Sequence, residues 1–369
     1  MVTAHVASRS GQWLSANELM QAFKGGYALH SQSIQALAQK LEANVQGTRE
    51  RQSNGDLDIE YPYRPKEYQT VTWKDPAIRV REGWIILSNG RGREPLVLAL
   101  PDEYRSADIR KAELLWRADH YELALTLDTG VPNPPLLRRV RTAGIDLGEV
   151  NIAAVVTENG QGVVINGRHL RSVKRLRNKR HAAYARKMKT CSPGSRRMRR
   201  LLKRKAQAST RFARQARDLL HKASRQVVRF AEKQGVAHLA VGDVRAVAAG
   251  TNKGRHQNQR LGQWAHGQFV QYVTYKARAL GVSTTYIPED YSTRTCSVCG
   301  HVRSSSPRGR VFVCPIPGCG AVVSRDGNGA ANICSRGRYG TYGKVQVTHL
   351  TYLRPVAVVA PRRGPTLLA

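Results

Sequence analysis

Four cysteines fall in one short segment as Cys296-Ser-Val-Cys299 and Cys314-x4-Cys319, fourteen residues apart. Tetrahedral zinc takes four soft ligands, and two sulfurs two to four residues apart close on one ion without strain. The spacing therefore predicts one structural zinc site whose ligands are all protein-derived, leaving no position for a catalytic water. It is not a disulfide framework, and it points to a reducing compartment. Cys191 and Cys334 have no neighbours of this kind and read as free thiols.

Two carboxylates stand out because their surroundings are apolar. Asp146 lies inside the strand-like run Gly144-Ile145-Asp146-Leu147-Gly148, where an unpaired charge would cost several kcal/mol without a cation. Asp326 sits in Ser324-Arg325-Asp326-Gly327-Asn328, just before the helical Ala330-Ala331-Asn332-Ile333, which makes it a helix-start carboxylate. Either alone reads equally well as a cap or turn residue. Together, a strand acid and a helix-start acid offer the hard oxygen ligands on rigid elements that a two-metal phosphodiester hydrolase needs.

The elements that must hold these residues are legible from periodicity. Ile34, Leu37, Ala38, Leu41 and Val45 predict an amphipathic helix over 31–46. Short β-rich runs follow at Thr70–Trp73, Gly83–Leu87, Leu96–Leu100, Ala112–Trp116 and Tyr121–Leu127, with Asn89-Gly90 as a turn, the pattern of a small antiparallel barrel or sheet. Pro132, Pro134 and Pro135 mark a boundary. Beyond it the character becomes α/β: a strand in 141–157, a turn at Glu158-Asn159-Gly160, a strand over Gly162–Ile165, two helices joined at Ser192-Pro193-Gly194, a buried strand at His238–Val244, a helix over Asn258–Leu280 and a strand over Val282–Ile287. Trp264 and Tyr272, at helical spacing, read as core in preference to base-stacking platforms. From about Gly337 the chain reads as a disordered or loosely docked tail.

The charge is the largest compositional signal. Lys and Arg number 60 against 26 Asp and Glu, a net charge of +34, and the field this creates favours a polyanionic partner. Between Arg168 and Arg229 there are 23 Lys or Arg and one acid, Asp218. Phe212, Ala216, Leu219, Leu220, Ala223 and Val227 mark an apolar stripe on the same segment, so the run is folded helix with a cationic outer face, suited to phosphates. Candidate phosphate contacts are Arg168, Arg171, Lys174, Arg175, Arg177, Lys179, Arg180, Arg196, Arg197, Arg199, Arg200, Lys203, Arg204 and, beside Asp326, Arg325. No run approaches the roughly 18 apolar residues of a spanning helix, and Met1–Met20 has no signal-peptide core, so the expectation is a soluble, intracellular protein with no membrane partner.

Over about residues 60–338, the order of Gly144-Ile-Asp-Leu-Gly148, the basic helical pair, the ribbon after Tyr291-Ser-Thr-Arg-Thr-Cys296, and Arg325-Asp326-Gly-Asn328-Gly-Ala-Ala-Asn332-Ile333 resembles the RuvC-like half of the TnpB family. These are transposon-encoded, RNA-guided DNA nucleases related to compact type V CRISPR effectors. The resemblance implies an α/β, RNase H-like (RuvC) nuclease core with an inserted zinc ribbon, preceded by an N-terminal β-barrel (wedge) and a small helical recognition lobe. Its expected boundaries are recognition-like 1–60, wedge 61–137, nuclease core 138–291 and 321–338, a ribbon contacting target nucleic acid at 292–320, and the tail 339–369. It implies a guide RNA and target double-stranded DNA as partners, one structural Zn²⁺ and two catalytic Mg²⁺ with Mn²⁺ able to substitute. The N-terminal part matches less well and is short.

One departure bears on chemistry. The family places a catalytic Glu at the end of the strand that here reads Leu239-Ala-Val-Gly242-Asp243-Val244, and the matching position is Gly242. The nuclease is then dead, or Asp243 substitutes, or another acid does. Strand alternation turns Asp243 to the face opposite position 242. Glu289 follows a strand that in such a sheet lies parallel and adjacent, at the carboxyl end where ligand sites form, and glycine at 242 leaves room for its side chain to cross. Asp146, Glu289 and Asp326 are therefore the expected catalytic and magnesium-binding triad, and a nuclease-dead RNA-guided DNA binder is the alternative.

Overall fold

The computed structural model describes residues 12–56, 58–61, 68–135, 140–245 and 254–355. The chain divides into two compact units, Met1–Gly130 and Val131–Ala369.

In the first unit, Ser15 and Glu18 form a reciprocal capping box that starts α1 (Ala16–Phe23), a short helix that buries Ala16 and Leu19. α2 (Ser31–Ser53) continues well past the expected end, since buried Thr48 extends the stripe of Val45 and its hydroxyl donates to the Asn44 carbonyl (2.9 Å). Six short strands then form two three-stranded antiparallel sheets. β1 (Val71–Lys74), β5 (Asp108–Trp116) and β6 (Tyr121–Asp128) make one; β2 (Ile78–Arg81), β3 (Trp84–Leu87) and β4 (Leu96–Ala99) make the other. Trp73, Ile85, Leu87, Leu100 and Ile109 form their common core, and the Trp73 indole N–H donates to the Ser88 carbonyl (2.8 Å).

The second unit is built on a six-stranded sheet in the order β11-β10-β7-β8-β9-β14. The stretch 141–157, expected as one strand, is a hairpin: β7 (Thr142–Leu147) and β8 (Asn151–Thr157) reverse at Gly148. β9 (Gln161–Asn166) follows β8 antiparallel. β10 (His238–Gly242) lies parallel to β7, and β11 (Ser283–Ile287) parallel to β10, as the reading of Glu289 required. β14 (His349–Leu353) pairs parallel with β9, so part of the expected irregular tail is an edge strand; the alternating Val347, Thr348, His349, Leu350 stretch was too short and polar to announce it. Residues 356–369 lie outside the described residues. β8 alone runs against the other five.

Alternation sorts the sheet residues onto two faces. Ala143, Ile145, Val155, Val163, Ile165, Leu239 and Val241 face the basic pair α3 (Arg168–Lys189) and α4 (Arg196–Lys233), together with α6 (His266–Arg278); Leu219, Leu220, Ala223, Val227 and Phe269 complete this core. The expected helix over 258–280 is two, α5 (Arg255–Gly262) and α6, broken at Gln263–Ala265, where the Trp264 indole N–H instead donates to the Gly148 carbonyl (3.2 Å). The opposite face, with Ala154, Val156 and Val164, packs on α7 (Arg325–Tyr339) through Ala330, Ala331 and Cys334. α7 lies almost on the sheet backbone: a Cβ on Gly144 would sit 2.2 Å from the Ala330 carbonyl oxygen, so only glycine fits there. Asp146, two residues on, shares that face.

A two-stranded ribbon, β12 (Val311–Val313) with β13 (Val322–Ser324), precedes α7. Buried Asn328 and Asn332 on α7 clamp its entrance. Their side-chain amides donate to the carbonyls of Thr295 (2.7 Å each) and Ser292, Asn328 Oδ1 accepts from the Ser297 N–H (3.0 Å), and Asn332 Oδ1 accepts from the Gly343 N–H (3.2 Å). Buried polar groups of this kind are tolerated because each is paired.

Candidate active site and nucleic-acid surface

The cysteines of the ribbon converge as their spacing predicted. The Sγ atoms of Cys296, Cys299, Cys314 and Cys319 all lie within 4.8 Å of one another, with Cys296–Cys319 at 3.7 Å and Cys299–Cys314 at 3.6 Å. Zinc–sulfur bonds of about 2.3 Å in a tetrahedron put sulfurs about 3.8 Å apart, so the set fits zinc. Burial raises the Cys296 and Cys314 thiols while the His301 backbone N–H lowers Cys299; a cation is what would hold the buried pair as thiolates. Cys334 is a buried thiol donating to the Thr142 carbonyl (3.3 Å), held by packing, and its burial pushes it up to about 12.

The three carboxylates meet at the carboxyl ends of β7, β10 and β11, across from the first turn of α7. Asp146 is raised well above the usual carboxylate range by burial first, then by the fields of Asp326 and Glu289, with Arg325 opposing. A Cβ on Gly329 of α7 would lie 2.9 Å from Asp146 Oδ2, so the helix glycine makes space for the strand acid. Gly242 stands one residue beyond the Val241–Ile145 pair, beside Asp146, and a Cβ there would lie 2.6 Å from Glu289 Oε2. Glu289 thus lies over the glycine, occupying the space a side chain at 242 would fill. Burial raises Glu289, with Asp243 and Asp290 adding to it. Asp243 itself is engaged by Arg245, whose Nε and guanidinium N–H donate to its two oxygens at 2.9 and 2.6 Å and hold it at about 2; Arg245 in turn lies 4.4 Å over the Tyr286 ring.

Asn151, at the start of β8, is a residue the sequence reading missed. Its amide donates to Asp326 Oδ2 at 2.7 Å, fixing that carboxylate, and only the hairpin geometry after Gly148 brings it there. Arg325 reaches Asp326 Oδ1 at 3.5 Å and the Gly309 carbonyl at 3.2 Å, so it is held between acid and ribbon. Among the described residues the carboxylates do not close as tightly as the cysteines. Burial and the fields of Asp326 and Glu289 together oppose the charged form of Asp146, and hard oxygen donors placed in this way fit divalent cations that also keep water and phosphate oxygens in their shell.

The cationic residues divide among several surfaces. Arg168, Arg171, Lys174, Arg175 and Lys179, spaced three and four apart on α3, line a cavity of about 950 Å³ with Gly148, Glu149, Arg260 and Trp264. This cavity adjoins the turn that follows Asp146. Its single acid, Glu149, is bound by Arg260 (Nε–Oε1 2.8 Å) and Arg171 (3.3 Å), which lower it. Burial lowers Lys174 to about 8. The N-cap of α3, Gly167, has no side chain to cap it, and Asn166 Oδ1 accepts from the Arg168 N–H (2.9 Å) in its place. Arg177 leans on Asn178; Arg196, Arg197, Arg199, Arg200 and Lys203 are exposed on the first turns of α4; Arg180 and Arg204 border a second groove, of about 400 Å³, between α3 and α4.

Comparison with known proteins gives two family models that match in order, most of both within the second unit. A "Probable transposase" model (OrfB_IS605) matches residues 125–248, and a "Cas12f1-like, TNB domain" model matches 266–333, spanning α6, the ribbon and the start of α7. The two matches, in this order, are consistent with the TnpB-like family that the sequence resembles. A curated relative, the CRISPR-associated endodeoxyribonuclease Cas12f1 of Sulfoacidibacillus thermotolerans, is 30% identical over 114 residues. That match takes in 31% of this chain and only about a quarter (25%) of the relative. Among solved structures, the cryo-EM structure of a Cas12f1–sgRNA–target DNA complex superposes with a TM-score of 0.55 at 14% identity, over 82% of this chain and 70% of that one, which shows a shared fold. No helix among the described residues is long and apolar enough to cross a membrane.

Proposed function

We propose that this chain is an RNA-guided DNA endonuclease with a relocated carboxylate triad, Asp146, Glu289 and Asp326. The observation that carries the reading is the Glu289 carboxylate lying over Gly242, within the field of Asp146. Asp146 comes from the central strand, Glu289 from the end of β11 and Asp326 from the first turn of α7, so three elements of one rigid sheet–helix packing supply the ligands. Asn151 orients Asp326. Two Mg²⁺ ions, with Mn²⁺ able to substitute, would supply an activated water and offset charge at the departing oxygen. Arg171, Lys174, Arg175 and Arg260 grip the phosphates of a strand entering beside the triad, and their cavity wall, with Trp264 bonded to Gly148, sets the height of that strand over Asp146. In this reading guide RNA pairing selects the target strand of duplex DNA and the first unit supplies wedge and recognition functions. The zinc ribbon, bolted to α7 by Asn328 and Asn332, acts as a staple at its base.

The purified protein with its RNA is expected to cut guide-complementary DNA only with Mg²⁺ or Mn²⁺. Asp146→Ala and Glu289→Ala abolish cutting; Asp243→Ala, which removes an acid already engaged by Arg245, spares it. Full activity in Glu289→Ala would refute the relocated triad. Glycine at the family's carboxylate position favours one second reading, a nuclease-dead RNA-guided DNA binder, for which guide-dependent binding without any cleavage in Mg²⁺ would decide.

A further inference from the structure

The groove between α3 and α4 differs in kind from the rest of the cationic surface. Leu176, Arg180 and Tyr184 recur every four residues on α3, and Arg204, Ala208, Arg211 and Phe212 face them from α4. Ala208 supplies no side chain long enough to fill the gap, so a space of about 400 Å³ remains with an apolar floor and a guanidinium rim. That volume falls within the range of roughly 300–1,000 Å³ of ordinary small-ligand sites. Gln207 and Gln215 border it and offer both amide donors and acceptors.

Nothing among the described residues satisfies this rim. Arg180, Arg204 and Arg211 make no hydrogen bond or ion pair among the described residues. The one acid of the whole segment, Asp218, is already paired with Lys222. A plain phosphate track would need neither the aromatic ring of Tyr184 nor the half-exposed Leu176 (48%) beneath it. A flat apolar slot, edge-reading amides and flanking guanidinium groups together match one nucleotide: a base to stack, a base edge to bond, and phosphates on either side.

We propose that the α3–α4 groove holds a single unstacked nucleotide of a bound nucleic-acid strand, its base against Tyr184 and Phe212 and its phosphates on Arg180, Arg204 and Arg211. The ligand class rests on the nucleic-acid reading above; the site does not depend on cleavage, and it lies apart from the residues assigned to the metal centre. It adds to charge-driven affinity a component that depends on a base and survives moderate salt.

The test uses the full chain and fluorescence anisotropy with short single strands of one sequence, as RNA, as DNA, and with a single abasic position walked along each. Tyr184→Ala is expected to weaken binding about tenfold and Tyr184→Phe to leave it unchanged. One abasic position reproduces the Tyr184→Ala loss in wild type and adds nothing in the variant. Arg211→Gln lowers the salt slope by about one. Loss in both the RNA and DNA arms assigns the pocket to base chemistry common to both; loss in the RNA arm alone assigns it to the guide. Unchanged affinity in Tyr184→Ala, with thermal melts showing both variants folded, overturns the pocket and leaves the nuclease reading standing. Failure of wild type to bind either strand overturns both.

Discussion

Replacing Gly242 by alanine separates an active site that needs the crossing of Glu289 from one that does not. The added Cβ would lie 2.6 Å from Glu289 Oε2 and 2.8 Å from Ile333 Cδ1, where ordinary contact begins near 3.4 Å. Both atoms must give to reach ordinary contact, the carboxylate by about 0.8 Å and the buried Ile333 methyl by about 0.6 Å. Misplacing a reacting group by about 1 Å costs on the order of 100-fold in rate. The fold loses less, about 1 kcal/mol, at the low end of overpacking penalties because both crowded atoms are side-chain ends. Single-turnover cutting of a guide-matched duplex in Mg²⁺, beside a thermal melt, reads the two effects separately. Since both substitutions act on the same carboxylate, Gly242→Ala combined with Glu289→Ala should be no slower than Glu289→Ala alone. A wild-type rate in Gly242→Ala, or losses that multiply in the double variant, would refute the crossing.

Other perturbations probe the supports. Asn332→Ala leaves the Thr295 and Ser292 carbonyls with Asn328 as donor but strips the Gly343 N–H of its side-chain acceptor, so a loss of about 2–4 kcal/mol is expected in denaturant unfolding. Cys314→Ser, or a strong chelator, should release about one zinc per chain, measured by a colorimetric metal assay, and expose the ribbon to proteolysis before the sheet. Asn151→Ala frees Asp326 and should cut the rate roughly tenfold or more while guide-dependent binding stays constant. Burial lowers Lys174 and Lys276 to about 8, so between that value and the unfolded value of about 10.5 the unfolded chain binds more protons. Melting temperature should therefore climb from pH 8 towards 10, and Lys174→Met should flatten the climb.

What could be read in advance follows from how far each signal extends along the chain. The convergence of the four cysteines was legible because pairwise cysteine spacing is local. The parallel placement of β11 beside β10, and with it Glu289, followed from the resemblance and from strand alternation. Asn151 was not legible, because its role depends on β7 and β8 reversing at Gly148-Glu149-Val150, a turn whose flanks are both apolar enough to read as one strand. The break at Trp264 was hidden for a similar reason: the apolar period runs on either side of it, and only the indole's bond to the Gly148 carbonyl selects the kink. β14 could not be recognised alone, since an edge strand of five residues is decided by the neighbour it joins. The partition of the arginines also escaped the sequence. Charge counts give a cationic face but not the grooves that divide it.

The order in which the chain presents these parts has a kinetic meaning. The α3–α4 hairpin closes on contacts between residues near in sequence, and it is complete once Lys233 has been made. The acidic centre joins residues 146, 289 and 326, and its last member follows the hairpin by more than 90 residues. At synthesis rates of about 5–20 residues per second, that is an interval of roughly 5–20 s. During it the growing protein already carries its densest positive charge but cannot yet assemble the acidic centre. A polyanion captured by the hairpin in that window is held before the carboxylates have come together, so on the proposed function binding precedes any cutting by the order of the sequence itself.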